Sequence, residues 1–104
     1  MQLARVVGTV VATQKSQRLD GLKLLIIRPM NLNGEVGSNY VVAIDAVGAG
    51  AGEVVLYASG SSARQTEVTK DRPADTVILA IVDTVEVNNA VLYSKAAEET
   101  PATP

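Results

Sequence analysis

Two aspartates, Asp45 and Asp83, interrupt otherwise apolar segments of the chain and are the first candidates for chemistry. Two carboxylates side by side can act as acid and base in a hydrolytic reaction. The same groups can instead form an ion pair with Arg64, the arginine of the polar segment GSSAR at Gly60–Arg64, within or between subunits. We favour this structural use, because a carboxylate pair alone is weak evidence for catalysis.

Nucleophilic catalysis and transition-metal binding have little support in the composition. The chain contains no cysteine and no histidine, which excludes thiolate and imidazole zinc sites, cysteine nucleophiles and Ser-His-Asp triads. Ser59, Ser61 and Ser62 therefore have no histidine to activate them, and Lys70 does not form a Ser-x-x-Lys motif with them. We predict no enzyme activity, no cofactor and no metal, and we expect these serines to cap or to hydrogen bond.

The glycine run Gly48, Gly50 and Gly52 resembles a phosphate-binding loop in composition but not in context. A dinucleotide fingerprint follows a strand and opens a helix, whereas this run precedes the strand-like segment EVVLY. We expect a tight connection, with glycines that adopt positive φ or permit close backbone approach. The alternative is a backbone-lined aperture or contact around a symmetry axis.

Length and charge restrict the class of protein. The 104 residues fit one domain, and nine basic against eleven acidic residues leave a net charge of −2, which does not favour nucleic acid as a partner. Tyr40, Tyr57 and Tyr93 are the only aromatic residues, too few to form a base-stacking platform. The N-terminus does not read as a signal peptide, and no apolar run reaches about 18 residues. We therefore expect a soluble, cytoplasmic protein with no membrane partner.

The elements that must position these residues are strands, recognised by period-two alternation and by turn residues between them. We predict an all-β fold, a small OB-like antiparallel β-barrel of five to six strands with one short helical turn at Gly60–Thr66. Residues 1–95 form the single domain, residues 29–39 a long loop, and residues 96–104 a disordered tail. The predicted strands are Gln2–Thr13, Leu22–Arg28, Tyr40–Val47, Glu53–Ser59, Thr76–Val87 and Val91–Lys95.

The predicted strand Thr76–Val87 is apolar on both faces, which is unusual for an antiparallel barrel. Either loops or neighbouring subunits must cover the outer face, and in so short a chain we favour subunits. The candidate apolar seam consists of Val77, Ile78, Leu79, Ile81 and Val82.

Two stretches carry a family likeness: DAVGAGAGEVVLYASGSSARQ at Asp45–Gln65 and RPADTVILAIVDTVEV at Arg72–Val87. They closely resemble the EutN/CcmL family of bacterial microcompartment vertex proteins. The resemblance implies a homo-pentamer that caps the five-fold vertices of a shell in the bacterial cytoplasm, closing it around encapsulated enzymes. The expected neighbours are hexameric and trimeric shell proteins.

The resemblance also assigns a candidate site near the subunit contacts or the axial opening. Its residues are Asp45, Gly48, Gly50, Ser59, Gly60, Ser61, Ser62, Arg64 and Asp83. Two other functions stay open at this point: a free OB-type module that binds a small ligand or a peptide, and, more remotely, a hydrolase that uses Asp45 and Asp83.

Overall fold

The computed structural model describes residues 1–13, 15, 17–60 and 75–99. Seven strands and two short helices lie in these ranges. The strands are β1 (Gln2–Val10), β2 (Lys23–Pro29), β3 (Val41–Asp45), β4 (Val54–Ser59), β5 (Thr76–Ile81), β6 (Thr84–Val87) and β7 (Ala90–Ser94). A 3₁₀ turn spans Gln17–Leu19, and helix α1 spans Lys95–Glu99.

Five of the strands close into a barrel in the order β1-β2-β3-β5-β4, which confirms the predicted OB-like barrel. Neighbouring strands run antiparallel except β3 and β5, which run parallel and pair Ile44 with Val77 and Asp45 with Ile78. Closure removes the free edges that an open sheet would present to other chains. The barrel interior is filled by Ala4, Val6, Leu25, Ile27, Ala43, Ala49, Val55, Tyr57 and Ile78.

The prediction of one long strand at Thr76–Val87 is wrong. The chain leaves the barrel at Val82, whose N–H donates to the Val54 carbonyl, and β6 then pairs with β7 in a separate two-stranded sheet. Asn88 and Asn89 both have positive φ, 52° and 66°, as a tight two-residue hairpin turn requires. Apolar residues continue on both sides of Asp83, so the residue pattern did not separate the two strands.

The hairpin explains part of the two-sided apolar pattern, because it covers the outer face of β1 and β4. Tyr93 of β7 packs against Val54, with Leu3 and Leu56 alongside. A second outer cluster joins Val77 to Ile44 and Ala58. The centres of these outer faces are therefore buried within a single subunit, while Leu3, Leu56 and Leu79 at their edges stay partly exposed.

The five residues of the candidate seam differ in their exposure. Val77 and Ile78 are fully buried and Val82 is nearly so, whereas Leu79 and Ile81 are half-buried. Only the last two keep enough exposed surface to contact another chain. The role of this strand as a subunit seam stays a prediction.

The C-terminal segment differs from expectation. Residues 96–99, which we expected to be disordered, belong to helix α1, and residues 100–104 lie outside the described ranges. The helical turn predicted at Gly60–Thr66 also falls outside them beyond Gly60. Within the described residues, every helix falls short of the length and apolar character that a membrane crossing requires.

Candidate functional site

The glycine-rich turn between β3 and β4 is organised by the buried carboxylate of Asp45. Its Oδ1 atom accepts hydrogen bonds from the backbone N–H groups of Val47, Gly48 and Ala49 at 3.1, 3.1 and 3.2 Å. Gly48 turns the chain with a φ of 77°, a conformation that favours glycine. The turn therefore keeps one shape, because a single oxygen atom holds three consecutive amides.

Lys23 holds the same turn from β2. Its Nζ atom donates to the Ala49 carbonyl at 3.2 Å and lies 4.0 Å from Oδ2 of Asp45. The Lys23 side chain is more than half exposed, so this ion pair adds little stability. Its contribution is to fix the position of the turn against the barrel.

Glu53 connects the turn to the C-terminal segment. Oε1 accepts a hydrogen bond from the Gly50 N–H at 2.6 Å, and Oε2 accepts one from Lys95 Nζ at 2.6 Å. The hydrogen bond from Lys95, followed by that from the Gly50 amide, holds the pKa of the Glu53 carboxyl below its usual range. One side chain therefore links the glycine turn to the start of α1.

Arg5 on β1 makes a second link to the C-terminal segment. One Nη donates to the Gly52 carbonyl at 2.8 Å, and the two Nη atoms reach both carboxylate oxygens of Glu98 at 3.0 and 3.1 Å. The guanidinium also lies over the Tyr93 ring, 5.9 Å from its centroid. The hydrogen bonds raise the pKa of Arg5 and lower that of Glu98.

These four charged residues were not predicted as site residues. Glu53 and Lys95 are 42 positions apart, and Arg5 and Glu98 are 93 apart. Local spacing rules reach only a few residues along the chain, so pairs this distant leave no pattern in one sequence. The only local signal for these ion pairs is that Lys95 and Glu98 are charged residues in a segment otherwise rich in alanine.

The predicted carboxylate pair does not form. Asp45 pairs with Ile78, and β5 then continues for about 10 Å before the chain reaches Asp83. The Asp83 side chain is exposed, while its carbonyl accepts the Lys95 N–H at 2.8 Å. In the described part of the chain, no group of three or more acidic residues lies close enough together to hold a metal ion.

The remaining predicted site residues lie at the end of β4. Ser59 is exposed and pairs with Thr76, and the Gly60 N–H donates to the Asp75 carbonyl at 2.8 Å. Ser61, Ser62 and Arg64 lie outside the described residues. The structure thus brings Asp45, Gly48 and Gly50 together in one turn, while Asp83 lies elsewhere.

An open groove of about 1030 Å³ lies on the outside of the barrel, beside the hairpin. Its walls come from the start of β1, the loop after β2, the middle of β4 and strand β6. Most of the lining is apolar, and the ionisable side chains in it are those of Glu35 and Glu86. The apolar lining residues are Met1, Leu3, Pro29, Met30, Leu32, Val36, Leu56, Val82 and Val85.

Residues 1–83 match the sequence profile of the family described as "Ethanolamine utilisation protein EutN/carboxysome". The carboxysome shell vertex protein CcmL of Synechocystis sp. is 47% identical over 95 residues, which cover 91% of this chain and 95% of that protein. The solved structure of CcmL from Gloeobacter violaceus matches with a TM-score of 0.88 at 46% identity, covering 92% of this chain and 99% of the other.

A pentameric protein is also among the similar structures. GrpN, a pentameric microcompartment shell protein from Rhodospirillum rubrum, matches with a TM-score of 0.77 at 41% identity. The match covers 84% of this chain and 99% of GrpN.

Proposed function

The chain belongs to the EutN/CcmL family, and we propose on that basis that it is a non-enzymatic shell subunit. Five copies form a ring that caps a five-fold vertex of a bacterial microcompartment in the cytoplasm. The ring closes the shell around the enclosed enzymes, and no turnover is required of it. The observation that carries this proposal is the match along nearly the whole barrel to vertex proteins, one of them pentameric.

A ring of five follows from a single repeated contact. When a head-to-tail contact rotates each copy by about 72° relative to the last, the fifth copy meets the first and the ring closes. Such a contact uses two different patches on every subunit, so the subunit needs no internal symmetry.

We place the candidate turn near the subunit contact or the axial opening of this ring. The support is its rigidity: three amides on Asp45, the Lys23 bond to Ala49 and the Glu53 bond to Gly50 leave it little freedom. A rigid backbone of small residues suits a place where five copies converge closely. Ser59 to Arg64 and Asp83, which lie away from the turn in sequence, are further candidates for subunit contacts in the ring, and Leu79 and Ile81 are candidates for the seam.

The same proposal extends to the neighbours of the ring. A vertex cap must join flat facets, and we expect those facets to be built by hexameric and trimeric shell proteins of another family. Co-expression of the facet proteins with and without this chain tests the assignment by electron microscopy. Closed particles should depend on its presence, and particles that close equally well without it would contradict a vertex role.

Native mass spectrometry tests the ring directly. Five copies of 10.8 kDa give an expected mass of 54 kDa. A stable monomer at micromolar concentration would remove the vertex assignment and favour the free OB-type module that binds a ligand or peptide. A ring of another size would contradict the five-fold vertex while leaving a shell role to be tested by microscopy.

A further inference from the structure

Two arginines lie side by side on the outer face of the barrel, one on each of two paired strands. Arg5 on β1 is the register partner of Arg28 on β2. Their chain neighbours Ala4 and Ile27 fill the barrel interior, so both arginine side chains point outwards. Like charges directly opposite each other on a sheet repel. The pair is therefore most stable when each guanidinium has a carboxylate beside it.

The surroundings of Arg5 show how this chain holds a guanidinium and a carboxylate together. The guanidinium lies over the Tyr93 ring and donates to the Gly52 carbonyl. Its two Nη atoms also donate to both carboxylate oxygens of Glu98. The arrangement has three parts: an aromatic ring, a glycine carbonyl and a carboxylate bound through both oxygens, the geometry in which arginine recognises this planar group.

The surroundings of Arg28 repeat the first two of these parts. The guanidinium lies over the Tyr40 ring, 5.1 Å from its centroid, and Nε donates to the Gly37 carbonyl at 2.9 Å. The Gly37 N–H donates in turn to the Pro29 carbonyl at 2.8 Å, and a Cβ at Gly37 would lie only 3.2 Å from that oxygen. A glycine is therefore suited to this close approach, which brings its carbonyl to Arg28.

The third part, the carboxylate, is missing at Arg28. Within the described residues, no acidic side chain forms an ion pair with this guanidinium, and its hydrogen bond to Gly37 uses only Nε. The Tyr40 side chain is 67% exposed and Arg28 is half-buried, so a molecule in solution can reach both. One edge of the guanidinium is fixed by the chain, which lowers the entropy lost when a ligand binds the other edge.

We propose that Arg28 and Tyr40 form a binding site for the carboxylate group of a ligand. The two Nη groups of Arg28 donate to its oxygens as those of Arg5 donate to Glu98. The carboxylate belongs either to a small free acid or to an acidic side chain of a peptide, since both offer the same planar pair of oxygens. A phosphate group fits less well, because phosphate sites combine several cations or backbone amides and the neighbouring Arg5 is already neutralised. The site is independent of the vertex assignment.

The test titrates the full chain, in whatever assembly it forms, with sodium acetate against sodium chloride at equal ionic strength. The NMR signals of the Gly37 and Ser38 amides and of the Tyr40 ring report binding. We expect saturable shifts with acetate, with half-saturation on the order of 10 mM, as suits one exposed charge-assisted contact. Arg28→Gln should weaken acetate binding by at least roughly 10-fold, and Arg28→Lys, which keeps the charge but not the fork, by about 3-fold. The control Arg18→Gln removes the same charge from the 3₁₀ turn and should bind acetate like the native chain.

A second variant tests the aromatic part of the site without touching the arginine. Tyr40→Leu changes an exposed side chain, so the fold should persist, and acetate binding should weaken by about 3-fold because the ring no longer supports the guanidinium. Thermal unfolding checks that every variant is folded.

Two capped tripeptides identify the source of the carboxylate: acetyl-Gly-Glu-Gly-amide and its glutamine counterpart. Binding of the glutamate peptide alone among the two indicates an acidic peptide segment as the ligand, whereas binding of acetate but of neither peptide indicates a small free acid. The proposal is overturned if acetate shifts the signals no more than chloride does, if Arg28→Gln binds acetate as the native chain does, or if inorganic phosphate binds roughly 10-fold more tightly than acetate. Each of these results leaves the vertex assignment untouched, since native mass spectrometry tests that separately.

Discussion

Replacing Asp45 with alanine tests whether its carboxylate is structural. Oδ1 is the acceptor for three backbone amides, and the side chain is only 2% exposed. The Ala49 amide lies in a buried position, so losing its acceptor costs about 1–3 kcal/mol, while the partly buried amides of Val47 and Gly48 can turn to water. We therefore expect Asp45→Ala to lower the free energy of unfolding by about 1–3 kcal/mol, nearly all of it from the Ala49 amide.

The matched control is Asp45→Asn, which keeps an oxygen acceptor in the same place and removes the charge. It should cost about 1 kcal/mol. Thermal unfolding at one fixed protein concentration measures both, since assembly makes the midpoint concentration-dependent. For a domain of this size 1 kcal/mol shifts Tm by about 4–8 °C, so alanine should lower Tm by roughly 4–24 °C. Equal effects of the two substitutions, or a Tm for alanine within about 2 °C of the native value, would refute the amide-acceptor role.

Three further predictions concern the parts that hold the turn and the hairpin. The pKa values of Glu53 and Glu98 are lowered by their cationic partners, so the stability that each carboxylate contributes is present above pH 4.5 and is lost as the pH falls through the pKa values of the folded state. Because both side chains are partly exposed, we expect each to contribute less than about 1 kcal/mol to the free energy of unfolding. The urea midpoint, measured against pH in Glu53→Gln and Glu98→Gln, checks this value. Tyr93→Ala should lower the free energy of unfolding by about 3 kcal/mol and speed amide hydrogen exchange in β6 and β7, because this ring packs the hairpin onto the barrel. An unchanged rate of hydrogen exchange would contradict that packing. Gly48→Ala should lower the free energy of unfolding by about 1–2 kcal/mol, because alanine is strained at the positive φ of this position. A Cβ there would meet no atom within 4 Å, so no steric clash adds to the strain. An unchanged unfolding midpoint would contradict this prediction.

The positions of the strands could be predicted from the sequence to within a few residues, but which strands pair with one another could not. Alternation and turn residues located β1 to β4 and the final strand, and the Asn88-Asn89 turn marked the hairpin. Apolar residues continue on both sides of Asp83, so the pattern does not mark the place where the chain changes sheets. Period two reports that residues face opposite sides, not which sheet they join, so the split into β5 and β6 had no local signal.

The candidate site was predictable in part for a similar reason. Asp45 and the glycines are neighbours in sequence, so their turn could be found from a local motif. The residues that fasten the turn, Glu53 with Lys95 and Arg5 with Glu98, meet only after the barrel closes and the hairpin folds back. The outer faces buried by the hairpin follow from the same fold-back. A two-sided apolar strand in a short chain therefore does not by itself indicate an oligomer.

These charged contacts have a consequence for ring closure. Strand β7 leads directly into Lys95, whose hydrogen bond to Glu53 ties the hairpin to the glycine turn. Arg5 fastens the other end of α1 to β1 through Glu98. If the turn lies near the axis of the ring, the turn, the hairpin and α1 belong to one rigid unit beside it. Rigidity matters because an angular error at each contact is repeated in every copy, and a few degrees per subunit would leave the fifth copy unable to meet the first.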